Sequence, residues 1–325
     1  MKNWFFTFIL TLLILFLSFF IIDSLLDPFG IHSVEKQRVE DLTAEHAFLF
    51  PSKLANQSQL YILGTSRTLR FDIAEIQKLS GKKTTFLGLS GSDISQWNLL
   101  LNEIHKRGGS AIIGLDLFSL NAKYGKENNK SQILLQDAIK NKSLFFEKAY
   151  FLNPLYIQTL AKSSIKNLFS TRIQHFENLN SETYSTPIIT KTYKNFTLWN
   201  NEVNKLIKQL KDTDYIVIFP EFFQYYCFYQ QELLLDSYLK AISKIVLESE
   251  AKVWSFMDIN ELTTNRLNYD DNAWHFKPNI ASTIAQAIFL QNNKYGILLT
   301  KENLKRKIEK IKIHISNACT ETKKL

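Results

Sequence analysis

Cysteine is scarce in this chain, with two residues among 325. Neither Cys227 nor Cys319 has the spacing of a metal site. Cys227 lies within an aromatic run and is predicted to be packed in the interior, whereas Cys319 lies in a polar tail. We therefore expect no disulfide framework, although two cysteines outside the cytoplasm would be free to oxidise.

Glycine is also scarce, with ten residues, and phosphate-binding loops are absent from the sequence. Neither Gly-x-Gly-x-x-Gly nor Gly-x4-Gly-Lys-Ser/Thr occurs, so the sequence lacks the patterns that hold dinucleotides and nucleotide phosphates. Histidines, cysteines and carboxylates do not cluster at metal-ligand spacing, and no internal repeat is evident. We therefore expect no cofactor.

Acidic residues are outnumbered, with 31 Asp and Glu against 39 Lys and Arg, which gives a formal charge of +8. The basic residues are spread along the chain without a DNA- or RNA-binding motif, so we expect no nucleic-acid partner. An anionic membrane surface or envelope polymer suits this charge better. The plainest explanation of this charge is a lysine-rich surface that serves solubility.

Charge is missing altogether from residues 4–22, a run of apolar and aromatic side chains. As a helix, this segment is long enough to cross a bilayer of about 30 Å. A cleaved signal peptide is the alternative, but bulky residues at 19–25 leave no small-residue cleavage site. With Lys2 before the segment and Asp23 after it, we predict an anchor over 1–24, with the short end in the cytoplasm and the rest of the chain outside.

The remainder divides into a stalk over 25–57 and a domain over 58–292 in which strands and helices alternate. This alternation predicts a doubly wound α/β domain with a parallel sheet. Strands are predicted at 59–64, 84–88, 111–115, 215–219 and 253–257, and helices at 72–79, 93–107, 231–247 and from Pro278 onward.

Two further segments are predicted to be helical. A helical insertion over about 122–212 is predicted to contain helices at 131–140, 155–168 and 198–210 and a polar loop over 171–195. The tail over 293–325 contains an amphipathic basic helix at 302–316. This helix either packs on the domain with its lysines in solvent or contacts anionic lipid near the anchor.

Chemically useful residues follow several predicted strands. The carboxyl ends of parallel strands meet at one edge of a sheet, where open α/β sheets bind ligands. Four of the ten glycines lie at these strand ends. The segments concerned are Gly64-Thr65-Ser66-Arg67, Gly88 to Ser92, Gly114-Leu115-Asp116 and the late segment Asp270 to His275.

The order of these segments resembles the SGNH, or GDSL-like, hydrolase superfamily, and within it the membrane-anchored envelope branch. That branch is related to the alginate O-acetylation and D-alanyl transfer proteins. The resemblance covers residues 58–290 and implies a flavodoxin-like, SGNH-type sheet. It implies that Ser66 is the nucleophile and that the N–H groups of Ser66 and Gly91 form an oxyanion hole, with Gly88 as a weaker match for Gly91.

The third oxyanion-hole donor departs from the family pattern. The family usually has asparagine after strand three, and Asp116 stands there. An ionised carboxylate accepts hydrogen bonds, so Asp116 is protonated, turned towards a partner such as Arg67, or structural. Asn121 is a possible substitute donor, and Arg67 is a possible substrate contact.

The last block departs as well. The family normally has aspartate three residues before the histidine base, and Asn272 occupies that position before His275. We therefore assign Asp271 as the residue that orients His275, with Asp270 as the alternative. An ordinary surface turn before the Pro278 helix is the competing interpretation.

Together these features predict a serine esterase or O-acyltransferase, with acetyl as the expected acyl group, that modifies a cell-envelope polysaccharide through an acyl-Ser66 intermediate. The expected location is the bacterial cytoplasmic (inner) membrane, with the catalytic domain outside. The expected partners are the polysaccharide or an acyl-donor membrane protein, and the lipid bilayer. One alternative is a catalytically impaired binding or assembly factor, and another is a tethered structural protein that contacts a transporter or polymerase.

Overall fold

The computed structural model describes residues 2–26, 49–55, 58–127, 129–140, 157–158, 196–270, 273–292 and 294–322. Within these ranges, six strands form one sheet in the order β2-β1-β3-β4-β5-β6, and only β6 is antiparallel to its neighbour. The strands are β1 (Leu60–Leu63), β2 (Thr84–Phe86), β3 (Ser110–Leu115), β4 (Tyr215–Ile218), β5 (Lys252–Ser255) and β6 (Ile297–Leu299). The predicted α/β class with a mostly parallel sheet is confirmed, and the strand order 2-1-3-4-5 is that of flavodoxin-like sheets.

Helices alternate with the strands along the chain. They are α1 (Lys2–Leu26), α2 (Phe50–Ala55), α3 (Ile73–Ser80), α4 (Ile94–Lys106), α5 (Ala122–Glu127), α6 (Asn129–Lys140), α7 (Asn200–Gln209), α8 (Phe223–Gln231), α9 (Leu234–Glu248), α10 (Glu261–Thr264), α11 (Pro278–Leu290) and α12 (Leu304–Thr322), with 3-10 turns at Ser66–Arg70, Phe118–Leu120 and Arg266–Asn268.

The central strands are buried on both faces, which explains their continuous apolar sequences. Every residue of β1 and β3 is buried. Ile62 pairs in register with Phe86 on one side and with Ile112 on the other. Because neither face of β1 meets water, its sequence Leu-Tyr-Ile-Leu shows no polar alternation. This register brings the ends of β1 and β3 side by side.

Helix α4 shows how local sequence fixes an element. Asp93 caps it and accepts hydrogen bonds from the backbone N–H groups of Ser95 and Gln96, and the Gln96 side chain completes a capping box. Ser92, predicted as a possible cap, instead donates its hydroxyl to the Gly64 carbonyl and accepts a hydrogen bond from Trp97. Ser92 therefore ties the start of α4 to the end of β1.

The structure differs from the predicted elements in three places. The end of the predicted stalk belongs to the core, since Leu49, Phe50 and Leu54 are buried and α2 packs against α6. Strand β6 was not predicted, and it extends the sheet past residue 292. Helix α8 also was not predicted, because its aromatic residues point to several sides and give no amphipathic period. The predicted loop at 171–195 and most of the predicted helix at 155–168 lie outside the described residues.

Helix α1 contains the apolar segment for which the sequence predicts an anchor. Only residues 4–15 of this helix are continuously described together with their side chains. In the described part of the chain, no helix has both the length and the apolar character needed to cross a bilayer. The anchor stays a prediction from the sequence.

The two cysteines form a disulfide, contrary to the expectation from the sequence. Cys227 on α8 is bonded to Cys319 on α12, 92 residues later. Sequence alone suggested a packed cysteine and a tail cysteine because their elements are far apart in the chain. Packing of α12 against α8 brings them together, with Leu304, Ile311 and Ile315 buried beneath α12.

This cross-link should contribute substantially to stability. Replacing both cysteines with alanine should lower the free energy of unfolding by about 2–5 kcal/mol, since a long loop is no longer closed in the unfolded chain. Urea denaturation with and without reductant measures this. The double variant should be insensitive to reductant, and an equal midpoint for the oxidised wild type and the variant would contradict the expectation.

Candidate active site

The site lies at the carboxyl edge of the sheet, beside β1 and β3. Strand order reverses between these two strands, because the chain moves from β1 outward to β2 and then returns to β3. Crossover helices leave on opposite faces at such a point, and a crevice opens between them. Ser66 follows β1 and Asp116 follows β3, so both lie at this crevice.

Backbone geometry at the end of β1 presents Ser66. Gly64 has φ of +141°, and a Cβ there would lie 2.4 Å from Cγ2 of Thr68, so a side chain is excluded. Thr65 then caps the short 3-10 helix Ser66–Arg70 by accepting a hydrogen bond from the N–H of Arg67. Ser66 thus becomes the first residue of that helix and is only partly buried. The predicted strand-to-helix turn at Ser66 is present.

Ser66 and His275, 209 residues apart, are in direct contact. The distance from Ser66 Oγ to His275 Nε2 is 2.8 Å. His275 Nδ1 lies 2.9 Å from Oδ2 of Asp270, which assigns the proton to Nδ1 and leaves Nε2 as the acceptor of the serine proton. A hydroxyl, an imidazole and a carboxylate in this order are the parts of a nucleophile activated by an oriented base.

The carboxylate on His275 is Asp270, the alternative in the sequence interpretation. Asp271, the first choice, lies outside the described residues. Asp270 takes the Nδ1 position and also accepts a hydrogen bond from the His275 backbone N–H at 3.2 Å. The assignment of Asp271 as the orienting residue is therefore corrected to Asp270.

A small hairpin explains why a spacing of five residues works. Tyr269 and Phe276 form an antiparallel bridge, and the Asp270 N–H donates to the His275 carbonyl at 2.9 Å. Residues opposite each other in such a pair have neighbouring side chains. The hairpin therefore places the Asp270 carboxylate beside the His275 ring. Neither helical spacing nor the usual three-residue spacing of the motif predicts this contact.

Asp270 is held in its ionised form. Burial alone would raise the pKa of its carboxyl, but the hydrogen bonds and charge of His275, with a contribution from Arg70, outweigh burial and lower the pKa below its ordinary value. Arg70 Nη2 lies 3.9 Å from Asp270 Oδ2. An ionised Asp270 is what orientation of the imidazole requires.

This lowered pKa predicts a change in acid stability. Ionised Asp270 stabilises the fold above the ordinary carboxyl pKa of about 4, and that contribution is lost as the pH falls through the lower folded value. Below about pH 4, the unfolding free energy of Asp270→Asn should therefore decline less steeply than that of the wild type. Urea denaturation across this range measures it. Exposed Asp212→Asn is the matched control and should follow the wild type, whereas equal slopes for Asp270→Asn would refute the expectation.

Asp116 is turned towards Arg67, one of the alternatives that the sequence left open. Its Oδ1 lies 2.7 Å from Arg67 Nη1, and its Oδ2 accepts a hydrogen bond from the Thr65 hydroxyl. Burial raises the pKa of the Asp116 carboxyl, and the charge of Arg67 opposes that rise. Both oxygens are engaged inside the protein, so Asp116 does not offer a donor to an oxyanion.

Arg67 is buried too, with 1% of its side chain exposed. Besides Asp116 it pairs with Glu221, at 2.9 Å from Nη1. The structure thus places the Arg67 guanidinium between two carboxylates in the interior, and the substrate contact suggested for it stays a prediction.

The other predicted oxyanion-hole residues have mixed outcomes. Gly91 has φ of +67°, and its carbonyl accepts the Tyr124 hydroxyl at 2.7 Å, so its backbone conformation is fixed next to the site. A Cβ on Gly88 would overlap Phe86, which gives Gly88 a packing role. The carbonyl oxygen of the Asn121 side chain accepts the N–H groups of residues 123 and 197, which assigns this side chain to linking two backbone segments.

Sequence reasoning missed Glu221 and Trp274. Glu221 follows β4, so the rule that selected Asp116 after β3 would also have found it. Trp274 lies directly before His275. The centre of its ring lies 5.6 Å from the centre of the Phe118 ring and 5.4 Å from that of the Tyr225 ring. No sequence signal distinguishes this tryptophan from one in an ordinary core.

Comparison of the chain with protein-family models, with curated proteins and with solved structures finds no match. The resemblance to SGNH hydrolases therefore rests on the short motifs named above and on their order along the chain.

Proposed function

We propose that this protein is an SGNH-like serine esterase or O-acyltransferase that forms an acyl-Ser66 intermediate. The observation that carries the proposal is the line of contacts from Ser66 Oγ to His275 Nε2 at 2.8 Å and from His275 Nδ1 to Asp270 at 2.9 Å. Both distances lie in the range of a functional nucleophile, base and orienting residue. The three groups come from two segments far apart in the sequence.

The proposed reaction has two halves. Ser66 Oγ attacks the carbonyl carbon of an ester while His275 Nε2 takes the serine proton. The tetrahedral intermediate collapses, the leaving alkoxide takes that proton from His275, and acyl-Ser66 remains. Water or a sugar hydroxyl then attacks the carbonyl carbon of acyl-Ser66 while His275 Nε2 takes its proton. The acyl–Oγ bond breaks, the free acid or the new sugar ester leaves, and His275 returns the proton to Ser66 Oγ. Asp270 stays ionised and stabilises the imidazolium in both halves.

The proposed oxyanion hole is built from backbone. The Ser66 N–H begins the 3-10 helix and has no partner within that helix. The neighbouring turn around Gly91 would supply the second donor. Each such donor is worth about 3–4 kcal/mol of transition-state stabilisation.

The proposed setting is the outside of the bacterial cytoplasmic membrane, with the anchor over residues 1–24 and a cell-envelope polysaccharide as the acceptor or substrate. The disulfide between Cys227 and Cys319 supports an oxidising compartment. Acetyl is the proposed acyl group, supplied either by the polysaccharide ester itself or by a membrane acyl donor. This setting rests on the apolar N-terminal sequence and on the resemblance of the site.

An alternative is a binding or assembly factor that keeps the fold but turns over slowly. The observation in its favour is the ion pair of Asp116 with Arg67. The family usually has a side-chain donor after strand three as the third member of the oxyanion hole, and the paired Asp116 does not supply it.

Labelling with a fluorophosphonate tests the enzymatic proposal. The Ser66 oxygen should displace fluoride from phosphorus, and mass spectrometry of the digested protein should locate the adduct at Ser66. Denatured protein is the control and should not be labelled. Absence of an adduct at Ser66 in the folded protein would favour the binding factor.

A further inference from the structure

A buried ion network lies directly behind Ser66 and takes no part in the reaction proposed above. Its centre is Arg67, the residue after the nucleophile. Nη1 of Arg67 lies 2.7 Å from Asp116 and 2.9 Å from Glu221, and all three side chains are at most 2% exposed. The two carboxylates raise the pKa of Arg67 well above its ordinary value despite burial, which by itself would lower it. The guanidinium is therefore a permanent cation.

The same guanidinium also holds the segment that carries His275. Its Nε donates to the Trp274 carbonyl at 3.1 Å, and its central carbon lies 4.1 Å from the centre of the Trp274 indole ring. The Arg67 side chain thus contacts both the backbone and the ring of Trp274, through a hydrogen bond and a cation–π contact. Planar stacking together with directed N–H donation is specific to arginine.

The two carboxylates are themselves fixed. Asp116 accepts the Thr65 hydroxyl, and Glu221 accepts the Tyr229 hydroxyl at 2.5 Å, while the Glu221 N–H donates to the Tyr226 hydroxyl at 2.8 Å. Asp116 follows β3 and Glu221 follows β4, so the network fastens Arg67 to two strand ends. Arg67 itself extends from the end of β1.

We propose that Arg67 is a positioning residue, which holds Trp274 and thereby sets the distance between Ser66 Oγ and His275 Nε2. Ser66 follows β1, and His275 lies on the hairpin that pairs Tyr269 with Phe276. Arg67 is next to Ser66 in the chain and is hydrogen-bonded to Trp274, the residue before His275. The inference rests on the proposed function, since it assigns a role relative to that nucleophile and base.

Arg67→Lys separates position from charge. Lysine keeps a cation between Asp116 and Glu221, so the carboxylates are not left unpaired. It loses the Nε donation to Trp274 and the planar face on the indole ring. A misplacement of about 1 Å in a reacting pair costs about 10²-fold in rate. We expect kcat for an activated ester, and the rate of fluorophosphonate labelling, to fall about 10²-fold, while KM changes less than about threefold.

Arg107→Lys is the matched control. Arg107 is the C-terminal cap of α4 and precedes the start of β3. The start of β3 lies at the edge of the sheet opposite the site, so kcat and the rate of labelling should stay at wild-type values. Circular dichroism and thermal unfolding verify that each variant is folded. Partial unfolding would lower only the fraction of molecules that are active. The proposal requires a lower kcat for each folded molecule, with the number of active sites counted by titration.

The outcomes separate the inference from the function on which it rests. If wild-type protein is not labelled at Ser66, the proposed function fails and the role of Arg67 fails with it. If wild type is labelled and folded Arg67→Lys has the same kcat, only the positioning role is overturned. Should Arg67→Lys not fold, Glu221→Gln, which loosens one of the two carboxylate contacts, decides: a folded variant with reduced kcat and unchanged KM supports the role, and wild-type kcat overturns it.

Discussion

Replacing Ser66 with alanine should lower kcat for an activated ester by about 10⁴–10⁶-fold. Alanine removes the oxygen that attacks the carbonyl and leaves His275 without a partner to deprotonate. The remaining rate comes from binding and from the backbone donors. Hydrolysis of nitrophenyl acetate, followed by the absorbance of the released nitrophenol, measures the change in kcat. The melting temperature should stay close to that of the wild type because Ser66 is only partly buried.

Ser80→Ala is the matched control for this variant. Ser80 ends α3, and a helix that begins at the carboxyl edge of a parallel sheet returns its end to the opposite edge. Its loss should leave turnover unchanged. If Ser66→Ala hydrolysed the ester as fast as the wild type, the contact with His275 would be structural and the assembly-factor alternative would replace the enzyme.

Replacing Asp270 with asparagine should lower kcat by about 10⁴-fold. An amide in this position has the same shape, but its NH₂ group can donate to Nδ1 of His275. The imidazole would then carry its proton on Nε2, facing Ser66, and would be unable to accept the serine proton. The effect should appear in kcat, whereas KM should change little because Asp270 contacts His275 and not the ester.

Asp271→Asn is the comparison that tests the corrected assignment. Asp271 was the first choice from the sequence, and the structure instead places Asp270 on Nδ1. We expect Asp271→Asn to lose far less activity than Asp270→Asn. The opposite ranking would restore Asp271 as the orienting residue and would show that the hairpin rearranges in the active protein.

Much of the fold could be predicted because the central strands are buried on both faces. Residues 60–63 and 111–115 form uninterrupted runs without charged or strongly polar side chains, and helices with clear amphipathic spacing, such as α4, lie between them. Where the sequence shows neither a buried apolar run nor an amphipathic period, the element was not predicted. Helix α8 is aromatic all around, and β6 is a strand of only three residues at the edge of the sheet, so neither has a period that local sequence reveals.

Part of the candidate site could also be predicted. Ser66 was identified from its place after a strand, and His275 from the carboxylates just before it. The exact carboxylate could not be identified, because the choice between Asp270 and Asp271 depends on the register of a hairpin whose bridge joins Tyr269 to Phe276. That register is set by packing of both residues in the core, where they are at most 2% exposed.

The sequence by itself determined the alternation of buried strands with helices, the turn that presents Ser66, and the residue types available at each strand end. Only the tertiary structure decided which of these residues meet. It placed Asp270 on His275, paired Asp116 and Glu221 with Arg67, and joined Cys227 to Cys319. The Asp270–His275 pairing is local and depends on the register of the hairpin. The partners of Arg67 and the two cysteines are separated by about fifty to one hundred and fifty residues, and the order of strands in the sheet and the packing of helices bring them together.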